Sequence, residues 1–464
     1  MPACAAAATR QPAGRGPRRG PARKGAERSA VRNGRRKAFV NARLLDPAAG
    51  LDRRGAVLVD GHMIADCSPS LFADGVPEGI EVIDCAGQCL APGLIDMRVF
   101  IGEPGAEHKE TLATASAAAA AGGVTTIAMM PETKPVIDAV ALVEFVARQA
   151  RDKAVVSILP TAAITKGLAG REMTEMGLLQ AGGAVALSDG SHALADALVM
   201  RRVLSYASSL DMLIMQHAAE PSLSGNGCMN EGEVATRLGL PGIPGAAEAI
   251  MVERDIRLVE LTGARYHVAS VSTAAALAAI RAAKRRGLPV SCAASPTHFA
   301  LNENAVGSYR TFAKLSPPLR GEDDRRAVVE ALADGTIDAI ASSHMPQDQE
   351  SKRLPFEQAE DGAVGLETLL PVGLELVHNG RLTLSEFLAR VVTRPAELLG
   401  LRRGSLKAGT PADLVVFDPD MPWVVDADAL RSKSKNTPFE GRPVQGRATV
   451  TVVGGNVVHR LTGA

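Results

Sequence analysis

Between residue 92 and about residue 400 the chain repeats one unit eight times: a short β-rich run, a polar or glycine-containing turn, then a helical stretch. The β-like runs are 92–100, 123–131, 155–165, 183–190, 211–220, 264–273, 288–296 and 336–346. Ala-, Leu-, Arg- and Glu-rich helical segments lie between them, at 138–152, 195–208, 247–261, 274–286 and 323–333. Near-continuously apolar strands alternating with helices are the pattern of a parallel sheet covered on both faces. Eight such units predict an α/β fold closed into a (β/α)8 TIM barrel. The alternative, a doubly wound open sheet, has fewer units and a glycine-rich phosphate turn after its first strand. Neither GxGxxG nor GxxxxGK(S/T) occurs.

Both flanks read as all-β. Residues 38–66 and 80–90 alternate apolar and polar positions around turns at 46–53 and 60–61, and residues 404–418 and 446–459 do the same. Strands before and after a barrel predict one small composite β-sandwich, built from 38–91 plus 401–464, around a barrel domain of 92–400. The net charge of zero is a sum of two unlike parts. Residues 1–37 carry eleven basic side chains against the single acid Glu27, and residues 38–464 carry 40 basic against 50 acidic. The body is therefore mildly acidic, which excludes a globally basic nucleic-acid binder. The tail has the Arg-rich, acid-poor make-up of a transit peptide, but its Gly and Pro content argues against an amphipathic helix and predicts a disordered extension. Six scattered cysteines without a CxxC pair predict reduced thiols in a cytoplasmic protein. No apolar run reaches the roughly 18–20 residues of a membrane span.

In a TIM barrel, chemistry sits at the C-terminal ends of the strands. Those ends carry Arg98, Phe100 and Glu103 (first), Glu132 (second), Asp189 (fourth), His217 (fifth), His267 (sixth), Thr297 and His298 (seventh), and Ser343, His344 and Gln347 (eighth). A lone histidine there is more often structural than a ligand. His217 and His267 at corresponding ends of adjacent strands, with Asp189 one strand earlier, point instead to a former or present metal site. His62, His108, His192, His378 and His459 fall in predicted loops or helices and carry no signal.

Longer motifs add a resemblance. PGLID at 92–96, EPG at 103–105, GGVTTIAMMP at 122–131, NENxxGxYRTFAKLSPPLR at 302–320, GLET at 365–368, PADLVVFD at 411–418 and KNTPFEG at 435–441 make the chain similar to the bacterial dihydroorotases of the amidohydrolase superfamily, over essentially all of 38–460. The resemblance implies the barrel-plus-sandwich fold. It also implies reversible ring closure of N-carbamoyl-L-aspartate to dihydroorotate, with one or two zinc ions supplying hydroxide and polarising the amide carbonyl.

The pattern breaks where that family holds its chemistry. The His-x-His after PGLID, which holds the first zinc, reads Arg98-Val99-Phe100; Phe has no lone pair and Arg is a permanent cation. The Arg before EPG that clamps the substrate carboxylate is Gly102, and its Asn partner is Glu132, which repels a carboxylate. The Asp that serves as zinc ligand and general base is Ser343, without useful basicity at neutral pH. The second His of the same motif is Gln347, and the Asn before PPLR is Ser316. Asp189, His217, His267 and His344 survive.

The resemblance therefore implies a degenerate member. No catalytic residue is expected (the general-base position is Ser343), and no substrate-binding residue (the clamp positions are Gly102 and Glu132). The expected remnant metal ligands are Asp189, His217 and His267, with no cofactor. A well-formed framework around an emptied site implies a non-catalytic role. Some bacteria carry inactive dihydroorotase-like chains that assemble with aspartate transcarbamoylase and support it, and this chain resembles them in lacking the His-x-His pair. The expected partner is thus aspartate transcarbamoylase, in a homo- or hetero-oligomer, without nucleic acid or membrane. The alternative is an active cyclic-amide hydrolase with one zinc on Asp189, His217 and His267, and Glu132 or Glu103 as base. A third reading, a regulatory module binding a pyrimidine metabolite, has no sequence feature of its own. Arg98 is left to pair with Asp189, Glu132 or a loop acid.

Overall fold

The computed structural model describes residues 36–462. The predicted basic tail lies outside the described residues except for Arg36 and Lys37, and Lys37 already opens a strand. Each predicted β-run contains a strand: β1 Leu94–Val99, β2 Val124–Met129, β3 Ser157–Pro160, β4 Leu187–Ser188, β5 Ile214–Gln216, β6 Tyr266–Val268, β7 Val290–Ala294 and β8 Ala339–Ile340. Every residue of β1 and β2 is buried, as expected of strands with helices on one side and the barrel interior on the other. The strands form two parallel arcs, β1-β2-β3 and β4-β5-β6-β7-β8. Short pairings join the arcs into a ring: Ala162 bridges Leu187, Val99 bridges His344, and the Phe100 N–H donates to the His344 carbonyl. Helices Val140–Lys153, Ala197–Ser209, Ala246–Thr262, Ala274–Arg285 and Glu322–Ala333 form the outer layer.

Side-chain alternation along the strands divides this core in two. One set, including Leu187, Tyr266 and Val268, packs outward under the helices. The other fills the barrel interior: Ala128 and Met130 from the β2 row, Leu213 and Met215 from β5, Ala293 from β7, and Ala339 and Ala341 from β8. Two residues further along these inward rows stand Glu132, His217, Ser295 and Ser343. The barrel thus has an apolar floor and a polar top.

The two chain ends build one eight-stranded sheet. Its order is Asn456–Arg460, Pro443–Val453, Leu414–Val424, Cys89–Pro92, Lys37–Asp46, Leu51–Asp60, Met63–Ser68, with Glu81–Asp84 added beside Lys37–Asp46. The sheet is continuous and wraps a single core that includes Phe39, Leu44, Val57, Leu90, Leu414 and Val450. Buried Asp46 fastens it to the chain returning from the barrel, accepting from Ser405 Oγ and the Leu406 N–H, both at 2.7 Å. The five described cysteines are free thiols, and no helix among the described residues is long and apolar enough to cross a membrane.

Candidate active site

Over the apolar floor lies a cavity of about 30 Å³, lined by Arg98, Phe100, Glu132, His298, Ser316, Ser343 and His344 together with the 362–365 loop and Phe439. The inward rows explain Glu132 and Ser343. Arg98 and Phe100 arrive from β1, whose register shifts between Asp96 and Val99.

The expected ligand trio is not gathered. Leu187 packs outward, so Asp189, two residues on, belongs to the outward row. Its carboxylate accepts from the Ile164 N–H at 2.8 Å, the Thr165 N–H at 2.9 Å and the Thr165 hydroxyl. It serves as a cap for the loop after β3, which takes three of the carboxylate's roughly four lone-pair positions. His217 and His267 do share the barrel interior. His217 Nε2 meets Ser316 Oγ at 3.0 Å and His267 Nδ1 meets Ser291 Oγ at 2.9 Å. The second nitrogen of each, His217 Nδ1 and His267 Nε2, is buried without a partner. Burial pushes both imidazoles down to about 3, helped by the charge of Arg98 at His217 and by those of Lys284 and, less, Arg98 at His267. Among the described residues no group of three or more His, Cys, Asp or Glu is placed to hold a metal. The residues present therefore do not fit the zinc that the family resemblance implies: the two imidazoles have a guanidinium's charge acting on them, and no third described His, Cys, Asp or Glu is placed with them.

Arg98 is 6% exposed. The expected pair with Asp189 or Glu132 does not form: Nη1 is buried without a partner, and Arg98 makes no ion pair among the described residues. Glu132 acts on it only through space, and desolvation dominates, so the guanidinium is pushed below its ordinary range. The Glu132 carboxylate accepts instead from the Ser191 N–H at 2.8 Å and faces His192 Nδ1 at 3.9 Å.

The other substituted positions are equally settled. A Cβ at Gly102 would lie 2.1 Å from the Ala106 carbonyl oxygen, so no longer side chain fits that loop as it stands. Glu103, a candidate base, caps helix Leu112–Ala121 through the Leu112 N–H at 3.0 Å and pairs with Lys153, away from the cavity. Ser343 sits at φ 51°, with a buried hydroxyl that has no partner. Gln347 Nε2 donates to the Asp361 carbonyl at 2.6 Å. His344 Nδ1 accepts from the Gly365 N–H at 3.1 Å, which places its proton on Nε2, 3.5 Å from Glu110 Oε2. Buried Glu110 also takes hydrogen bonds from Ser432 Oγ and the Lys433 N–H. Nothing in the sequence pattern singled it out, because it lies in a loop without periodicity.

Comparison with known proteins bears on this site. A family model described as "Dihydro-orotase-like" matches residues 87–276, and one described as "Amidohydrolase family" matches residues 375–459. The dihydroorotase of Pelobacter propionicus is 45% identical over 420 residues, 90% of this chain and 98% of the relative. That of Anaplasma phagocytophilum is 45% identical over 429 residues, 91% and 95% of the two chains. Among solved structures, the L-hydantoinase (dihydropyrimidinase) from Arthrobacter aurescens superposes with a TM-score of 0.82 at 26% identity, covering 91% of this chain and 96% of its own.

Proposed function

The chain belongs to the dihydroorotase family of the amidohydrolase superfamily, and from that premise we propose that it is a non-catalytic member acting in pyrimidine biosynthesis as a structural subunit of aspartate transcarbamoylase. The observation that carries this reading is Arg98, a buried cation on the cavity wall whose Nη1 has no partner and whose charge lowers the proton affinity of both surviving imidazoles. A missing general base costs about 10²–10⁴ in rate. Ser343 cannot act as that base, and Glu132 adds a negative charge where a substrate carboxylate would bind. The framework around the cavity is fully packed, which supports a retained task that needs the fold and not the chemistry.

The names of the relatives favour a second reading, an active zinc-dependent cyclic-amide hydrolase of the dihydroorotase type with a mononuclear site. Among the described residues Glu132 is the one acid lining the cavity that could then take a proton. Metal analysis of the purified full chain, run beside a dihydroorotase assay in both directions, separates the two. The non-catalytic reading expects no stoichiometric zinc and no turnover, and near-stoichiometric zinc with turnover establishes the hydrolase. Co-expression with aspartate transcarbamoylase tests the partner: a complex that survives sizing at micromolar concentration is expected, and separate elution refutes it.

A further inference from the structure

A guanidinium sealed into a barrel without a counter-charge leaves strong donors unused, and the surroundings show which groups could answer them. His298 is spent: Nε2 donates to the Pro317 carbonyl at 3.0 Å and Nδ1 meets Ser295 Oγ at 2.8 Å. His344 is held between Gly365 and Glu110. Glu132 is turned to Ser191. Among the described residues, three atoms on the cavity wall are buried without a hydrogen-bond partner: His344 Nε2, which faces Glu110 Oε2 at 3.5 Å, and the two donors Arg98 Nη1 and Ser343 Oγ. Ser343 is held in the left-handed region at φ 51°, a conformation unusual for serine. The space beside these two donors is about 30 Å³, where a single water needs about 10–15 Å³ on the same measure. It suits a group of three heavy atoms better than one solvent molecule.

We propose that the emptied site binds a small planar monoanion of the O–C–O type, a monocarboxylate or bicarbonate, seated on the Arg98 fork with the Ser343 hydroxyl as its third donor. The inference rests on the reading above that this site holds no metal. A planar carboxylate matches the two parallel N–H groups of a guanidinium, which gives the buried cation the ion-pair partner that no described residue supplies. Glu132 on the cavity wall sets the limit of one negative charge: a dianion gains a second attraction to Arg98 but meets the fixed carboxylate. The chemistry that relatives direct at a substrate with a metal ion is replaced here by recognition of an anion.

The test titrates the zinc-analysed full chain with ¹³C-formate and ¹³C-bicarbonate by NMR, with acetate by calorimetry, and with sulfate and succinate as dianion controls. Saturable binding of the monoanions is expected, with the dianions about ten-fold weaker or worse. R98M should weaken formate binding at least ten-fold, S343A about three- to ten-fold (the loss of one hydrogen bond), and E132Q should tighten it several-fold. Wild type that binds none of the monoanions, or variants that titrate like wild type, overturn the proposal. Should R98M not fold, S343A and E132Q decide it by their opposite signs. Zinc-free wild type without anion binding refutes this inference alone, whereas stoichiometric zinc refutes the non-catalytic reading and this inference with it.

Discussion

Replacing Arg98 with methionine should stabilise the protein. Methionine keeps an unbranched stem of similar length in a site that is 94% enclosed, since Arg98 is only 6% exposed. Two terms oppose each other when the charge is removed. Its attraction to Glu132 is lost, and the cost of holding an unpartnered guanidinium out of water is recovered. The second is larger, because desolvation outweighs Glu132 in depressing the guanidinium's proton affinity. Exchanging buried charges for apolar groups of similar volume is neutral to stabilising, by up to about 4 kcal/mol. Giving up the Glu132 attraction places this case in the lower half, about 1–2 kcal/mol. In a chain of this size each kcal/mol moves the melting midpoint by about 1–2 °C, so the midpoint should rise by about 1–4 °C. The measurement is thermal unfolding in a bicarbonate-free buffer whose only added anion is sulfate. R98K keeps the charge and should show no gain, while R98A loses the packed stem and should fall below wild type. A midpoint for R98M more than about 1 °C below wild type, with normal secondary structure, would refute the reasoning: the guanidinium would then be satisfied by the protein itself.

Three further outcomes follow from other parts of the fold. Burial raises Glu367 from 4.5 to about 7 although it accepts from the Arg431 and Ser432 N–H groups. A carboxyl whose folded pKa is raised favours folding while protonated, so relative to E367Q the wild type should lose on the order of 3 kcal/mol as pH rises from about 4.5 to 8; parallel urea midpoints across that window would contradict this. Buried Glu248 accepts from the N–H and hydroxyl groups of both Ser272 and Thr273, so E248A should cost about 3 kcal/mol or more in unfolding free energy. The triple variant R98H/F100H/S343D should take up zinc measurable by elemental analysis where wild type does not, and equal metal content in the two would contradict the account of the site.

The barrel was legible because its signal is periodic. Each of the eight apolar runs contains its strand and the five helical spans lie within about two residues of their helices, since strands buried on both faces leave continuous runs and amphipathic helices leave their own period. The polar positions at the strand ends were legible for the same reason, and Glu132 and Ser343 lie where their rows lead. What failed was everything set by a parity or by a loop. Asp189 looked like a ligand because it ends a strand, but a shift of one residue along a strand reverses the face, and its row runs outward. Glu103 looked like a base, yet the chain curls and spends it on a helix N-terminus. Glu110 gave no sign at all, because a loop acid becomes part of a buried relay only through contacts made more than three hundred residues away. The composite β-sandwich read from the flanks is there, built from both chain ends as one eight-stranded sheet around its own core.

The departures from the family pattern are not independent of one another, and this bears on whether the site could be regained. Glu132 lies directly against Gly190, where a Cβ would come within 2.0 Å of its carboxyl carbon, so the substituted clamp position occupies the space above the turn that follows Asp189. Gly102 lets the 102–106 loop close on itself, with the Ala106 N–H donating to the Gly102 carbonyl at 2.5 Å, and this shuts out the arginine that would have balanced a substrate carboxylate. Asp189 is committed to residues 164–165 through three hydrogen bonds. Restoring one ligand therefore leaves the others misdirected: R98H alone supplies a third imidazole but neither base nor clamp. A single substitution is expected to recover neither zinc nor turnover, and the triple variant is expected to recover zinc without turnover, because Gly102 and Glu132 still refuse the carboxylate. Dihydroorotase activity in R98H alone would show that the emptied site is only one side chain away from working, and would contradict this coupling of losses.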